Sequence, residues 1–333
     1  MVEQLSWREQ LNKIISNPLE RERIANEIGV RSHTLSRWIS GESLPRPHNL
    51  RQLLNALPKQ QRDELREAME EELSDMAVSA LTDTSSEIAY KFIMEVFDAH
   101  ATMPDTLRYW SISRLVLEQA IRQLDPERVG MAITIVRCMP PTSDGKIHSL
   151  RESQGLGTPP WGGNLEQYAM FLGAESLAGH VAASCRAEAV QDLVKDRTFL
   201  PAYQTEHEVS AIAHPIMMAG RVAGCLLVSS TLPNYFLSQF RLSLVHGYAN
   251  LLTLAFEPHE FYRPELIELR VMPPLDVQRE HFASFRQRVL RTMMEYAATD
   301  RPLINIQAEE LVWQELERIL LRLPPQTGPS GLA

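Results

Sequence analysis

The stretch that most constrains the fold runs from Arg21 to Gly41 and reads as two helices joined by a tight turn. Ile24, Ala25 and Ile28 recur at helical spacing, so the first helix has one apolar face. Gly29 follows them, and glycine adopts the positive φ of a sharp turn at little steric cost because it has no Cβ. The pattern predicts a helical hairpin at the head of the chain.

The second helix of this hairpin divides into an apolar face and a polar face. We expect Ser32 to cap its N-terminus, since a serine hydroxyl accepts from the unpaired amides of a first turn. Leu35, Trp38 and Ile39 share the inward face, and Gly41 ends the helix. The outward face consists of Ser32, His33, Ser36 and Arg37.

The residues ERIANEIGVRSHTLSRWISGESLP resemble the Cro/repressor-like (XRE-type) helix-turn-helix family. That family has an Ala, a Gly, a Ser/Thr-rich turn, a core Trp or similar residue and a Gly-x-x-x-Pro in this order, and the resemblance covers an all-α domain at 1–58. It implies that the second helix enters the major groove of double-stranded DNA and that its outward N-terminal residues contact base edges. The alternative is an αα-hairpin that packs on another part of the chain.

The resemblance also assigns individual contacts. Arg37 is the main candidate for reading a base, because a guanidinium fits the two acceptors of guanine. The residues implied beside it are Ser32, His33 and Ser36. The expected phosphate contacts are Arg31, Thr34 and Arg46.

Composition and charge narrow the class of protein. The 333 residues carry a net charge of -9, which does not suit a protein that coats nucleic acid without selection. Up to Lys59, however, basic residues outnumber acidic ones, as expected when a small domain binds DNA and a larger one does something else. No apolar run is long enough for a membrane helix, the N-terminus lacks the order of a secretory signal, and three separated cysteines favour a reducing compartment. We therefore expect a cytoplasmic protein with no membrane partner.

Residues 59–85 change character. Leu65, Met69, Leu73 and Met76 form a narrow apolar stripe, and the opposite face is strongly acidic. Such a stripe suits pairing with another helix, so we interpret this segment as a connecting helix that dimerises the protein and ends in the polar hinge 82–86. An acidic surface helix packed on its own domain fits the stripe equally well.

Residues 86–258 mix helical and strand patterns. Strands joined by turns and surrounded by amphipathic helices predict an α+β domain with an antiparallel sheet flanked by helices. The predicted helices are 87–99, 105–124, 177–183 and 233–257, the strands are 130–139, 147–153, 208–218 and 221–230, and 155–163 is an irregular loop.

Two segments of this domain resemble the GAF family. AIAHPIMMAGRVAGCLLVSSTLPNYFLSQFRLSLVHGYANLLTLAF is similar to its C-terminal half: a strand with a Pro, a Gly turn, a Gly-containing strand, and a long helix introduced by a Phe. ESLAGHVAASCRAEAVQDL is similar to the family's Gly-x-x-x-x-Ala helix and the acidic loop after it. The resemblance implies a six-stranded sensory module that binds a small ligand or dimerises.

In GAF domains the ligand lies between the sheet and the loops on one face. By that resemblance the candidate ligand-binding residues are Trp161, Tyr168, Phe171, His180 and Cys185. The Asn-Lys-Phe-Asp-Glu set of cyclic-nucleotide GAF domains and the adjacent Cys-His pair of many bilin-binding phytochromes are both missing from the sequence, so the cofactor stays unknown.

The cysteines leave one alternative open. Cys185 lies beside Arg186, which would lower its thiol pKa and make it a candidate for redox sensing. Some GAF-like proteins reduce free methionine sulfoxide with cysteines, so that activity is kept as an alternative. Cys138 and Cys225 lie in apolar strands and are expected in the core. No phosphate-binding loop, HExxH or GxSxG occurs, and we expect no enzyme.

The rest of the chain is predicted to be a C-terminal helical extension at 259–325, with helices at 277–296 and 307–323, and a disordered tail at 326–333. The sequence as a whole predicts a homodimeric transcription regulator that binds a palindromic operator and is controlled by a small ligand. The alternative is a constitutive DNA-binding protein whose GAF-like domain only dimerises or docks a partner.

Overall fold

The structure, a computed structural model, describes residues 6–45, 47–72, 87–165, 170–193, 195, 207–297 and 303–323. The predicted hinge 82–86 and tail 326–333 lie outside these ranges, as do Leu73 and Met76. The described helices are α1 Trp7–Ile14, α2 Pro18–Glu27, α3 Ser32–Ile39, α4 Pro47–Asn55, α5 Lys59–Glu72, α6 Tyr90–Thr102, α7 Asp105–Leu124, α8 Leu177–Ser184, α9 Gln239–Leu252, α10 Leu275–Phe282, α11 Phe285–Ala297 and α12 Asn305–Leu320.

The first five helices form an all-α bundle around one apolar core. Ser6 starts α1 with a capping box: its hydroxyl accepts from the Glu9 amide at 3.3 Å, and the Glu9 carboxylate accepts from the Ser6 amide at 2.9 Å. Trp7 and Leu11 then point one face of α1 into the core, where both are fully buried.

The predicted helix, turn and helix are present as α2 and α3. Gly29 has φ +69° in the turn, and Gly41 has φ +75° after α3. Leu35 and Trp38 are buried as predicted. The predicted Ser32 cap is wrong: Ser32 is the first helical residue, Arg31 occupies the cap position, and no side chain caps this end.

The last two helices of the bundle complete its core. α4 begins at Pro47, because proline fits the first turn of a helix where its missing N–H is not needed. Leu65 and Met69 of α5 are fully buried in the same core cluster as Trp7. The burial of Leu65 and Met69 therefore supports the second interpretation of this segment, an acidic helix packed on its own domain.

The second unit is built on a six-stranded antiparallel sheet with strand order β3-β2-β1-β6-β5-β4. This confirms the predicted antiparallel sheet flanked by helices. The strands are β1 Met131–Cys138, β2 Leu150–Gly157, β3 Phe171–Leu172, β4 Glu188–Val190, β5 Ser210–Met218 and β6 Arg221–Ser230. The short edge strands β3 and β4 were missed, and the predicted loop 155–163 begins only after β2 has ended at Gly157.

The β5–β6 hairpin turns at Ala219 and Gly220, as predicted. Both residues have positive φ, +50° and +73°, as in the two-residue turns whose twist matches that of the flanking strands. Gly224 of β6 has φ +154°, and a Cβ there would lie 1.9 Å from the carbonyl oxygen of Val136. The close approach of β1 and β6 thus requires a glycine at this position.

Helices cover both faces of the sheet. α6, α7 and α9 pack on one face around Ile133, Leu226 and Tyr248. α8 packs on the other face, where Val181 meets Cys225 in a separate apolar cluster. Within the described part of the chain, no helix is long and apolar enough to cross a membrane.

The C-terminal extension folds back along the sheet. Tyr262 bridges Val222, and Ile267 bridges Ile147. The single helix predicted at 277–296 is wrong, because α10 ends at Phe282 and α11 begins at Phe285. α12 completes a small core in which Trp313 packs on Phe285 with ring centroids 4.4 Å apart.

Candidate functional site

A cavity of about 490 Å³ lies on the α8 side of the sheet. Its floor is formed by side chains of β1, β2, β3, β5 and β6, and its walls by the first turn of α8 and the loop that follows β2. Leu275 and Arg279 of α10 also line it, so the C-terminal extension contributes one wall. A cavity of this size falls in the range of small-molecule sites.

Side chains alternate between the two faces of a strand, and this alternation determines which residues form the floor of the cavity. Ala132 and Thr134 of β1 are two positions apart, as are Leu227 and Ser229 of β6, so each pair faces the same side of the sheet. At Gly157 of β2, an added Cβ would lie 2.6 Å from the carbonyl oxygen of Gly162. The loop after β2 can therefore approach the strand closely enough to close that wall.

Two carboxylates and two hydroxyls give the cavity its polar character. Glu152 and Glu208 both line it, together with Thr134 and Ser229. Glu208 is 8% exposed, and its carboxylate accepts a hydrogen bond from the Ser229 hydroxyl at 2.5 Å. The remaining walls are mostly apolar; they include Leu165, Met170, Leu172, Leu177 and Leu227.

The environment shifts the protonation of Glu152. Burial raises the pKa of this carboxyl to about 8, and the negative charge of Glu208 adds to the effect. A hydrogen bond from the Met170 amide offsets a smaller part of it. At neutral pH, Glu152 is therefore largely protonated, and a positive charge placed beside it would favour loss of that proton.

Only some of the residues predicted to bind a ligand line the cavity. Trp161 lines it. Phe171 does not, because its ring is fully buried against Trp313, 5.7 Å between centroids. His180 is exposed on α8, and neither it nor Cys185 is among the cavity-lining residues. Tyr168 lies outside the described residues. Neither Glu152 nor Glu208 was predicted as a site residue, because neither belongs to a motif.

The predicted lowering of the Cys185 thiol pKa by Arg186 is wrong. Partial burial and the negative charge of Glu265 raise that pKa. Burial likewise raises the pKa of Cys138 to about 12 and that of Cys225 further. Cys138 and Cys225 lie in the core, as predicted.

A second polar cluster joins the sheet to the C-terminal helices. The Glu310 carboxylate of α12 accepts from Arg137 and from Arg151, each at 3.1 Å. Glu260 accepts a further bond from Arg137 at 2.5 Å, and the Arg151 guanidinium lies 4.7 Å from the ring centroid of Trp313. These paired charges hold the C-terminal helices on the sheet. Among the described residues, no group of three His, Cys, Asp or Glu side chains is arranged to hold a metal ion.

The polar face of α3 is the other candidate surface. Ser32, His33, Ser36 and Arg37 are exposed, as predicted. The Arg37 guanidinium lies 3.6 Å from the Glu42 carboxylate, with both side chains more than half exposed. An ion pair this exposed contributes little to stability, so Arg37 can exchange Glu42 for a stronger partner. Arg31 is exposed and Thr34 half-buried, whereas Arg46 lies outside the described residues.

No protein-family model matches the chain, and no curated protein matches it. Solved structures similar to it include a type II free methionine-R-sulfoxide reductase from Thermoplasma acidophilum, with 16% identity over 47% of this chain and 98% of that one and a TM-score of 0.34. They also include GAF domains of phosphoenolpyruvate-protein phosphotransferases. The Acinetobacter domain has 17% identity over 55% of this chain and 93% of that one, TM-score 0.31. The domain from Coxiella burnetii has 15% identity over 51% and 93%, TM-score 0.33. With identities of 15–17% and TM-scores of 0.31–0.34, these similarities do not indicate the function of this protein.

Proposed function

We propose that this protein is a cytoplasmic, dimeric DNA-binding regulator whose α+β unit binds a small ligand. The proposal rests on two features that lie in different parts of the chain. The helical bundle exposes a polar helix face after a glycine turn, and the unit that follows encloses a cavity of about 490 Å³. Each feature suits one half of a ligand-controlled switch.

The DNA half of the proposal rests on α3. Its buried residues Leu35 and Trp38 fix the helix on the bundle, so that His33, Ser36 and Arg37 project together. The first-turn amides of this helix have no side-chain cap, and such amides bind phosphate oxygens readily. In the proposed complex Arg37 exchanges the Glu42 carboxylate for the acceptors of a guanine.

Control requires that two bundles bind together. Paired recognition helices engage adjacent major grooves when they lie about 34 Å apart. A ligand that prefers one arrangement of the dimer changes this spacing and hence the affinity for DNA, whereas equal affinity for both arrangements would shift nothing.

A surface of α6 supports the dimer. Tyr90, Met94 and Phe97 are 75%, 39% and 48% exposed, and they follow one another at helical spacing. In the proposed dimer this exposed apolar stripe contacts the partner subunit. The same stripe favours the second candidate function, in which the α+β unit only dimerises a constitutive DNA-binding protein.

The test is selection of binding sites from random double-stranded DNA by the full-length protein, followed by anisotropy titrations of Arg37→Ala. We expect one sequence to be enriched and the variant to bind it about 5- to 150-fold more weakly, with non-specific DNA bound as before. Arg291→Ala is the matched control, because Arg291 forms a similarly exposed pair, 4.0 Å from Glu295.

Two results would contradict the DNA half of the proposal. No enrichment would remove sequence-specific reading altogether. An equal loss of affinity on every sequence would make Arg37 a phosphate contact.

A further inference from the structure

Two hydroxyl groups of the cavity already donate their protons within the protein. The Ser229 hydroxyl donates to Glu208, and the Ser176 hydroxyl donates to the carbonyl oxygen of Gly173 at 2.8 Å. Neither proton is therefore available to a ligand in this arrangement. The oxygens of these two hydroxyls and of the Glu208 carboxylate can therefore only accept hydrogen bonds from a ligand in this arrangement.

Thr134 adds a polar group that a ligand in the cavity can contact. Its side chain is 8% exposed and lines the cavity, and its hydroxyl makes no hydrogen bond to any residue that the structure describes. The hydroxyl oxygen is not among the fully buried polar atoms that lack a partner, so it faces the space of the cavity, where a ligand or a water can bond to it.

We propose that the cavity binds a small organic cation, an amine with an apolar body, whose ammonium group is held by Glu152 and Glu208. This inference rests on the proposed ligand-binding function and names the class of ligand. The two acids share one largely apolar enclosure in which Glu152 holds its proton at neutral pH, and an ammonium beside them would favour the ionised form of Glu152 and donate up to three hydrogen bonds to the two carboxylates. The apolar walls, with Trp161 at one side, suit the rest of such a molecule.

Among the described lining residues, two others carry groups that can be charged, and both lie at the exposed rim. Arg279 is exposed on α10 and forms part of the rim, and His207 is also exposed. Glu208 is the more deeply buried acid, and burial strengthens its attraction for a cation.

Binding of an amine is coupled to a proton. Glu152 holds its proton at neutral pH, and the incoming ammonium favours the ionised carboxylate, so binding releases a proton. The affinity for an amine therefore rises between pH 6 and pH 8, by at most about tenfold per pH unit for a single proton. A neutral ligand of the same shape shows no such release.

The experiment is calorimetric titration of the full-length protein with three amine–alcohol pairs: 2-phenylethylamine and 2-phenylethanol, hexylamine and hexanol, cyclohexylmethylamine and cyclohexylmethanol. Titrations in two buffers of different ionisation enthalpy measure proton release. We expect at least one amine to bind about 10- to 100-fold more tightly than its alcohol, as charge-assisted hydrogen bonds allow, and to release a proton.

Matched variants assign the effect to the two acids. Glu152→Gln and Glu208→Gln should each reduce the preference for the amine at least tenfold, and Glu152→Gln should abolish proton release. Glu280→Gln, an exposed glutamate of α10 that does not line the cavity, should change neither. Circular dichroism checks that each variant is folded.

The outcomes separate this inference from the proposed function. If no amine binds more tightly than its alcohol in any pair, the cation proposal is wrong. If 3-phenylpropionate or an alcohol binds best and alters DNA affinity, the ligand-controlled regulator stands and only the cationic class is refuted. If an amine binds as predicted but leaves DNA affinity unchanged, the cavity assignment stands and the regulatory coupling is refuted.

Discussion

The replacement of Glu152 by glutamine tests the electrostatics of the cavity without any ligand. In the folded protein the pKa of this carboxyl is about 8, against an ordinary value of 4.5. Below pH 4.5 the carboxyl is protonated in both the folded and the unfolded chain. Between pH 4.5 and 8 the unfolded chain releases the proton while the folded protein keeps it, so the free energy of unfolding falls as the pH rises.

The size of this effect follows from the shift. One pKa unit corresponds to about 1.4 kcal/mol, so the acid costs about 3 kcal/mol of stability at pH 7 and less than about 1 kcal/mol at pH 5. Glutamine has nearly the same shape and no charge. Glu152→Gln should therefore raise the free energy of unfolding by about 3 kcal/mol at pH 7 and change it little at pH 5.

Urea unfolding followed by circular dichroism and tryptophan fluorescence measures the difference. With a typical dependence of about 1–3 kcal/mol per molar urea, the midpoint at pH 7 should move up by about 1–3 M. Glu280→Gln, on the exposed side of α10, should stay within about 0.5 kcal/mol of the wild type at both pH values. A stabilisation by Glu152→Gln that is the same at pH 5 and pH 7 would refute the reasoning, as would a loss of stability at both.

Three further substitutions test the packing that supports the two sites. Leu35→Ala, in the fully buried face of α3, should cost about 2–5 kcal/mol in urea unfolding and leave the far-ultraviolet spectrum of the folded protein intact; a loss below about 1 kcal/mol would contradict its place in the core. Gly224→Ala should give little soluble protein at 30 °C because its Cβ would meet the Val136 carbonyl, whereas Gly163→Ala, with no positive φ and no atom within 4 Å of the added Cβ, should express well; equal yields of the two variants would contradict the close approach at Gly224. Gln278→Ala should destabilise the C-terminal helices by about 2–4 kcal/mol in hydrogen exchange, since the buried amide bonds the N–H and the carbonyl of Phe171; unchanged exchange in α10 would count against that link.

Periodicity and turn-forming residues together predicted α7 and the β5–β6 hairpin, whereas the helix predicted at 233–257 is helical in α9 only from Gln239 to Leu252. The limits of α7 at Asp105 and Leu124 were found because Pro104 provides a sharp start and a helical apolar face persists for 20 residues. The hairpin at Ala219 and Gly220 was found because β-branched runs flank a two-residue turn signal. Local sequence carries this information, so the fold class could be read from it.

The missed features depend on contacts between distant residues. β3 has only two residues, Phe171 and Leu172, and exists because its edge pairs with β2. Ser32 failed as a cap because the helix begins one residue earlier than the capping pattern suggested, a common error at helix ends. Neither difference alters the arrangement of the core.

The candidate site was the hardest part to predict. Glu152 and Glu208 are 56 positions apart in the chain, and only the order of the strands places them in one cavity. Aromatic residues were predicted to bind a ligand because their rings could stack on it. Phe171, however, is buried in the core beneath α12. A polar residue in a strand that is otherwise apolar, such as Thr134, was the one local sign that could have pointed to the cavity.

The most direct test of the central claim is the affinity of the full-length protein for its selected operator, measured by anisotropy with and without a heat-cleared small-molecule extract of the expression cells. If the cavity controls DNA binding, the extract should change the affinity at least about fivefold, the low end of typical coupling between sites. The change should also be lost in Glu208→Gln. The same affinity with and without the extract, in a protein that binds its operator specifically, would contradict ligand control and leave the α+β unit as a dimerisation module.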